Sequence, residues 1–334
     1  MQDYSIHWPS LVKDQLSATG YTRIRIEPDN CCNLFMAVNN FDCNKAFVIE
    51  VHTRSIPPTI QYPESDGFTI HVETVTPGPS GDTRLILQAT DNKFDDVFIA
   101  LVNDIISHLC YKTEQTSAIV ELISRLRRWQ KFLQKHAINW LSDTAVQGLY
   151  GELYFMQEML IQDVPAETIV TAWVGPEMAN QDFQFPKCAV EVKTNASGNL
   201  QQIQVNNLRQ LDDTDIDTLL LFYLSLEKQL TQSESLPDLI FKIRHHLKAK
   251  AALSLDTFDD KLIDTGYLQV HTKRYENIRY SVKNKYYYRI MDEFPRLTRS
   301  MVQAGVDNVR YTISIDACQE FIVDPVLAIN YIRG

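Results

Sequence analysis

Short runs rich in β-branched and aromatic residues mark the first part of the chain: TRIRIE (22–27), NLFMAV (33–38), KAFVIEV (45–51), FTIHVET (68–74) and RLILQAT (84–90). Turn formers separate them, including EPDN, NNFDCN and TPGPSGD at 76–82. Such runs read as strands. DDVFIALVNDIISHLC (95–110) then carries apolar residues at helical spacing, so a helix laid on an antiparallel sheet is predicted. A second helix is predicted over 114–136, where Ile119, Ile123, Leu126 and Phe132 form an apolar stripe. Arg125, Arg127, Arg128, Lys131 and Lys135 make the rest of that helix basic; this suits either a solvated connecting helix or a contact with a DNA backbone.

The middle of the chain changes period. Ser142 or Asp143 is an N-cap candidate for a helix running to about Gln162. TIVTAWVG (168–175), DFQF (182–185) and AVEVKT (189–194) read as a three-strand meander. TLLLFYLSL (218–226) is a continuous apolar run, the pattern of a strand covered on both faces. The last third opens with a basic helix at 236–253. Strands are predicted at 266–272, 278–290 and 308–315, and a closing helix at 324–332. Trp173 reads as core, His245 and His246 as surface, and Tyr286, Tyr287 and Tyr288 as tyrosines packing on a sheet.

Composition narrows this picture only slightly. The chain has 334 residues, 45% hydrophobic and 22% charged, which suits two or three soluble domains. Its six cysteines form no C-x-x-C pair and sit at no zinc-ligand spacing, so they read as reduced structural thiols of a cytoplasmic protein. The N-terminus lacks a basic start followed by an apolar run, and no apolar run reaches the roughly 20 residues a membrane helix needs, so no membrane contact is expected.

The chemistry gathers in the middle. On its helix, Glu152 shares a face with Gly148, Leu149, Phe155 and Met156. A carboxylate in an apolar stripe needs a partner. Gly148 and Gly151 beside it permit close approach of another backbone. In the strand that follows, Val190 and Val192 alternate with Glu191 and Lys193. Were DFQF and AVEVKT paired as a hairpin, Asp182 and Glu191 would converge at one end. Two carboxylates in contact repel unless a cation lies between them. A hard ion such as Mg2+, with Mn2+ as substitute, prefers oxygen ligands. Asp182, Glu191, the carbonyl of Val192 and Glu152 would supply them. Lys193 would then orient a water or stabilise charge developing on a phosphate.

Asp182, followed after eight residues by Glu191-Val192-Lys193, resembles the D-x(n)-E-x-K signature of the PD-(D/E)XK nuclease superfamily, with Gln181 where the motif's name has proline. GLYGELYFM resembles the glutamate-bearing first helix of that fold. GLYGELYFM, W, DFQF and VEVKT in that order, with RLRRWQKFL and PRLTRSMVQAGVDNVRYTISI, resemble a bacterial family of PD-(D/E)XK motif proteins over most of the chain. The resemblance implies an α/β (α+β) fold: a β-rich domain at 1–112, a restriction-endonuclease-like core at 113–235 and an α+β region at 236–334. It implies a metal-dependent DNA endonuclease with Glu152, Asp182, Glu191 and Lys193 in the catalytic site and Gln204 or Gln210 as a polar accessory residue. It further implies a place in phage defence beside partners such as ATPase subunits and methyltransferases, and leaves room for a homo-oligomer. A nuclease fold that grips DNA or docks partners without cutting is the competing expectation. The complete acidic set favours cutting.

The formal net charge of −10 bears on how DNA would be held. Free-standing nucleic-acid binders are usually basic. Arg125, Arg127, Arg128, Lys131, Lys242, Arg244, Lys248 and Lys250 are the candidate cations for a DNA surface, and reliance on a partner is expected.

Overall fold

Helix α1 (Trp8–Lys13) precedes five strands that realise the N-terminal pattern almost residue for residue: β1 (Tyr21–Ile26), β2 (Asn33–Asn39), β3 (Lys45–His52), β4 (Phe68–Thr74) and β5 (Asp82–Ala89). The computed structural model describes residues 4–13, 19–63, 65–75, 81–135, 140–196, 202–229 and 233–334. Residues 76–80 of the turn expected at 76–82 lie outside the described residues. The five strands form one antiparallel sheet in the order β1-β2-β3-β5-β4.

Two helices follow, α2 (Asp95–Leu109) and α3 (Gln115–Lys135). Helix α2 buries Val97, Phe98, Leu101, Val102, Ile105 and Ile106. The basic face of α3 is not wholly solvated. Arg125 is buried and donates to both carboxylate oxygens of buried Asp104, from Nε at 2.9 Å and from a terminal nitrogen at 2.6 Å. The indole of Trp129 donates to the same carboxylate at 2.8 Å. Arg125 therefore clamps α3 to α2, and its proposed part in a DNA surface is corrected: a guanidinium spent on a buried bidentate pair cannot also meet a phosphate.

The chain divides into two compact units, the first running to Trp140 together with Leu268–Val270, the second comprising Leu141–Tyr267 and His271–Gly334. The boundaries expected at 112 and 235 coincide with neither. Helix α3 belongs to the first unit through Asp104, and the C-terminal segment shares its sheet with the core.

The second unit starts with α4 (Asp143–Ile161), capped by Ser142, whose hydroxyl accepts from the Ala145 amide. Next comes α5 (Ala166–Ala172), where a strand was predicted. Ile169, Val170 and Thr171 favour strands, but Ile169, Val170 and Ala172 are buried, and burial of that helical face outweighs propensity. Only Trp173 enters the sheet, as an isolated bridge to Phe183. The sheet is built from β6 (Phe183–Gln184), β7 (Cys188–Asn195), β9 (Thr218–Gln229), β10 (Glu234–Ser235) and β11 (Arg279–Ile290), in the order β10-β11-β9-β7-β6, with β13 (Ile322–Val323) added on β11. Strand β8 (Gln202–Val205) instead pairs with β12 (Tyr311–Ser314) as a separate two-stranded ribbon.

Strand β9 pairs parallel with β7 and antiparallel with β11, and is buried from Leu219 to Leu226. Leu220, Phe222 and Leu224 pack with Val190 and Val192 against α4 and against α6 (Leu236–Lys250). Leu219, Leu221 and Tyr223 pack on the other face with Ile203, Val205 and Ile313 of the ribbon. Tyr287 and Tyr288 are buried in these two opposite cores. Helix α7 (Ala252–Asp264) follows α6 and ends where Gly266 takes φ 92°. The Tyr267 amide bonds to the Leu262 carbonyl and the Gly266 amide to that of Ile263, a Schellman stop. Where a strand over 266–272 was predicted, the chain instead forms a 3-10 turn at Gln269–His271 that leads into a short helix, α8 (Thr272–Tyr275). Helix α9 (Pro325–Arg333) closes the chain as expected.

Gly151 explains how closely α4 approaches β7. A Cβ there would lie 1.8 Å from Oγ1 and 3.0 Å from Cβ of Thr194, whereas at Gly148 it would meet nothing within 4 Å. Gly151→Ala should thus destabilise by roughly 1–3 kcal/mol through overpacking. Gly148→Ala should stabilise by about 0.5–1 kcal/mol through helix propensity. Denaturant unfolding of the two variants checks this; equal effects would contradict the close approach.

Candidate active site

The hairpin expected between DFQF and AVEVKT is present. Phe183 pairs with Val190 and Gln184 with Ala189, so Asp182 stands just beyond the last pair, level with Glu191 in the middle of β7. Its Oδ2 accepts from the Val192 amide at 2.7 Å. Its own carbonyl accepts from the amides of Val174 and Gly175 at 2.9 and 3.0 Å. In a strand the N–H and C=O of one residue face the same side. Because the Val192 amide faces Asp182, the Val192 carbonyl faces that edge too, away from β9.

Glu191 is 1% exposed. Its Oε1 meets the Lys193 ammonium at 2.7 Å, and Oε2 has no hydrogen-bond partner. Lys193 also donates to Oε1 of Gln210 at 2.9 Å, and that oxygen accepts from the Asn206 amide at 2.9 Å. Of the two accessory candidates, Gln210 is the one that touches a signature residue. Gln204 lines the same cleft from the ribbon.

Glu152 reaches the site from α4. Its Oε2 accepts from the indole nitrogen of Trp173 at 2.7 Å. A Cβ built on Gly175 would lie 3.1 Å from this oxygen and 3.2 Å from Oδ1 of Asp182, so the two carboxylates flank one bare stretch of backbone. Trp173 is core, as expected, yet its N–H is a polar handle on the site, a role that apolar patterning could not reveal. The signature residues together line a cleft of about 470 Å3. Its other lining residues include Gln147, Asn195, Gln202, Asn206, Tyr223 and Thr312, and among the described residues Lys193 is its one cation.

The electrostatics are those of crowded anions. Burial, then the nearby charge of Asp182, pushes Glu152 up from its ordinary 4.5 to about 8, against the opposing Trp173 hydrogen bond and Lys193. Burial raises Asp182 as well, against the Val192 amide and Lys193. Burial and Asp182 push Glu191 well above the ordinary carboxylate range. Three carboxyls with a single ammonium are short of positive charge. Oε2 of Glu191, Oδ1 of Asp182 and the Val192 carbonyl, with Glu152 beside them, are oxygen atoms of the type that could hold a hard divalent cation.

This crowding sets a pH dependence. Between about 4.5 and about 8 the folded metal-free chain keeps on Glu152 a proton that the unfolded chain has released. The folded state then binds more protons, so stability falls as pH rises through that window. The melting temperature of metal-free protein should decline over this range, and more steeply than that of Glu152→Gln. Parallel pH profiles for the two would contradict the raised proton affinity of Glu152.

No curated protein and no solved structure matches the chain. Residues 5–316 match the family described as "Putative PD-(D/E)XK family member, (DUF4420)". That match spans nearly all of the sequence, including the hairpin and helix just described, and the chain belongs to this PD-(D/E)XK family.

Proposed function

We propose that the chain is a divalent-metal-dependent endonuclease that hydrolyses phosphodiester bonds in DNA. One observation carries this reading: Glu152, Asp182 and Glu191 crowd one cleft with raised proton affinities, an unbonded buried carboxylate oxygen and an adjoining lysine. Asp182, Glu191 and the Val192 carbonyl would hold the ion, with Glu152 beside them. When bound, Mg2+ or Mn2+ supplies Lewis-acid polarisation of a phosphoryl oxygen and acidifies water. Lys193, fixed between Glu191 and Gln210, presents its ammonium to the cleft and stabilises negative charge on the scissile phosphate. A Mg2+-titrated cleavage assay on plasmid and linear DNA tests the activity: nicking or cutting in wild type that is absent in Asp182→Asn supports it.

The charge distribution supports reliance on a partner. Of the eight cations singled out in the sequence, at least four face acids: Arg125 with Asp104, Lys242 with Glu234, Arg244 with Asp259 and Lys250 with Asp163. Each adjoining carboxylate offsets a charge that could have met a phosphate. The isolated chain should bind duplex DNA weakly and lose it at modest salt, since exposed charges are screened over roughly 8 Å at physiological ionic strength. A binding titration across salt checks this, and nanomolar affinity at physiological salt would contradict it. A role in phage defence, with an ATPase or similar subunit holding the DNA, is consistent with this weakness. Among the described residues no helix is long and apolar enough to cross a membrane.

A further inference from the structure

Helix α7 grips the Trp173–Gly175 corner, which contacts both Glu152 and Asp182. Lys261 is only 8% exposed, and burying an ammonium is costly unless it is fully partnered. Its Nζ donates to the carbonyl of Thr171 at 3.3 Å and to that of Trp173, and meets Oε1 of Glu177 at 2.9 Å. The two carbonyls end α5, where a cation complements unpaired C=O groups. Three residues earlier on the same helix, Phe258 packs on the Trp173 indole at 5.9 Å between ring centroids. Lysine and phenylalanine thus hold Trp173 by its backbone and by its ring.

From that corner two links run directly to the acidic cluster. The Trp173 indole donates to Glu152, and the next two amides, of Val174 and Gly175, donate to the Asp182 carbonyl. Gly175 itself leaves no side chain between the two carboxylates. A helix cap alone would need none of these links.

We propose that Lys261 and Trp173 are positioning residues for the metal site: Lys261 fixes the Trp173–Gly175 corner, and that corner sets the placement of Glu152 and Asp182 and so the affinity for a divalent ion. This rests on the metal-site reading above. Groups that orient metal-binding side chains typically change affinity or activity by about 10- to 100-fold when removed.

The test uses the full chain with Mn2+ binding by calorimetry and Mg2+-induced change in near-ultraviolet circular dichroism. Trp173→Phe keeps an aromatic ring and removes the N–H; Lys261→Met keeps the stem and removes the ammonium. Each should weaken Mn2+ binding by about 10- to 100-fold, and Lys261→Arg should recover most of the loss. Wild type should show a tryptophan signal change on Mg2+ saturation that Trp173→Phe lacks. That signal needs no variant to fold except as its control, and its absence from wild type overturns the indole's part. Wild-type affinity in both variants overturns the positioning role while leaving the metal site standing. Equal Mn2+ binding by wild type and Asp182→Asn, or no binding by wild type, overturns the metal-site reading and the inference with it.

Discussion

Asp182→Asn should abolish metal-dependent cleavage and at the same time raise the melting temperature of the metal-free chain. The two effects have one cause. Asp182 shares the cleft with Glu152 and Glu191, and its charge raises the proton affinity of both. Neutralising it removes repulsion that Lys193 offsets only in part. Asparagine can keep the hydrogen bond, since its side-chain oxygen still accepts from the Val192 amide. The stability gain should be on the order of 1–2 kcal/mol, the worth of about one unit of pKa shift. Activity should fall by at least about 10²–10³-fold, the usual loss when one charge-stabilising group is removed. Glu191→Gln should be as inactive but gain less stability, because it also removes the carboxylate facing the Lys193 ammonium. Thermal melts without metal and cleavage assays with it check both variants. A metal-free Asp182→Asn protein that melts below wild type would contradict the crowding argument.

Lys193→Met should behave in the opposite sense. Lys193 lowers the proton affinity of Glu152, Asp182 and Glu191, so its loss leaves three carboxyls without a cation. The metal-free variant should melt below wild type. Cleavage should slow by about 10²–10³-fold, as expected when a preorganised charge near the reacting phosphate is lost. Metal affinity should change far less than rate, because Lys193 supplies no oxygen ligand. Single-turnover cleavage at saturating Mg2+ separates the two, and full activity in Lys193→Met would contradict its catalytic role.

The residues of the site were legible in the sequence because each broke a local pattern. Glu152 interrupts an apolar helical stripe, and Glu191 and Lys193 alternate with valines in a strand that pairs with a buried apolar run. Asp182 stands one residue before β6, and the pairing of Phe183 with Val190 brings it level with Glu191. Two strands were misread for separable reasons. At 168–172 β-branched residues lie on a short helix whose burial decides its form. At 266–272 a glycine with positive φ ends α7, a helix absent from the sequence reading. The basic face of α3 looked solvated because Asp104, which buries Arg125, lies 21 residues away on another helix. Trp173 and Lys261 were invisible as site residues for a similar reason: their polar atoms meet the acidic corner only through tertiary packing.

The most direct test of the account is a crystal of the chain soaked in Mn2+ and measured for anomalous scattering. The account predicts one strong peak within ligand distance, roughly 2.0–2.3 Å, of a carboxylate oxygen from each of Asp182 and Glu191 and of the Val192 carbonyl oxygen, with Glu152 beside it. A saturating soak that leaves this cleft without a peak, or that places Mn2+ only on other carboxylates, would contradict it.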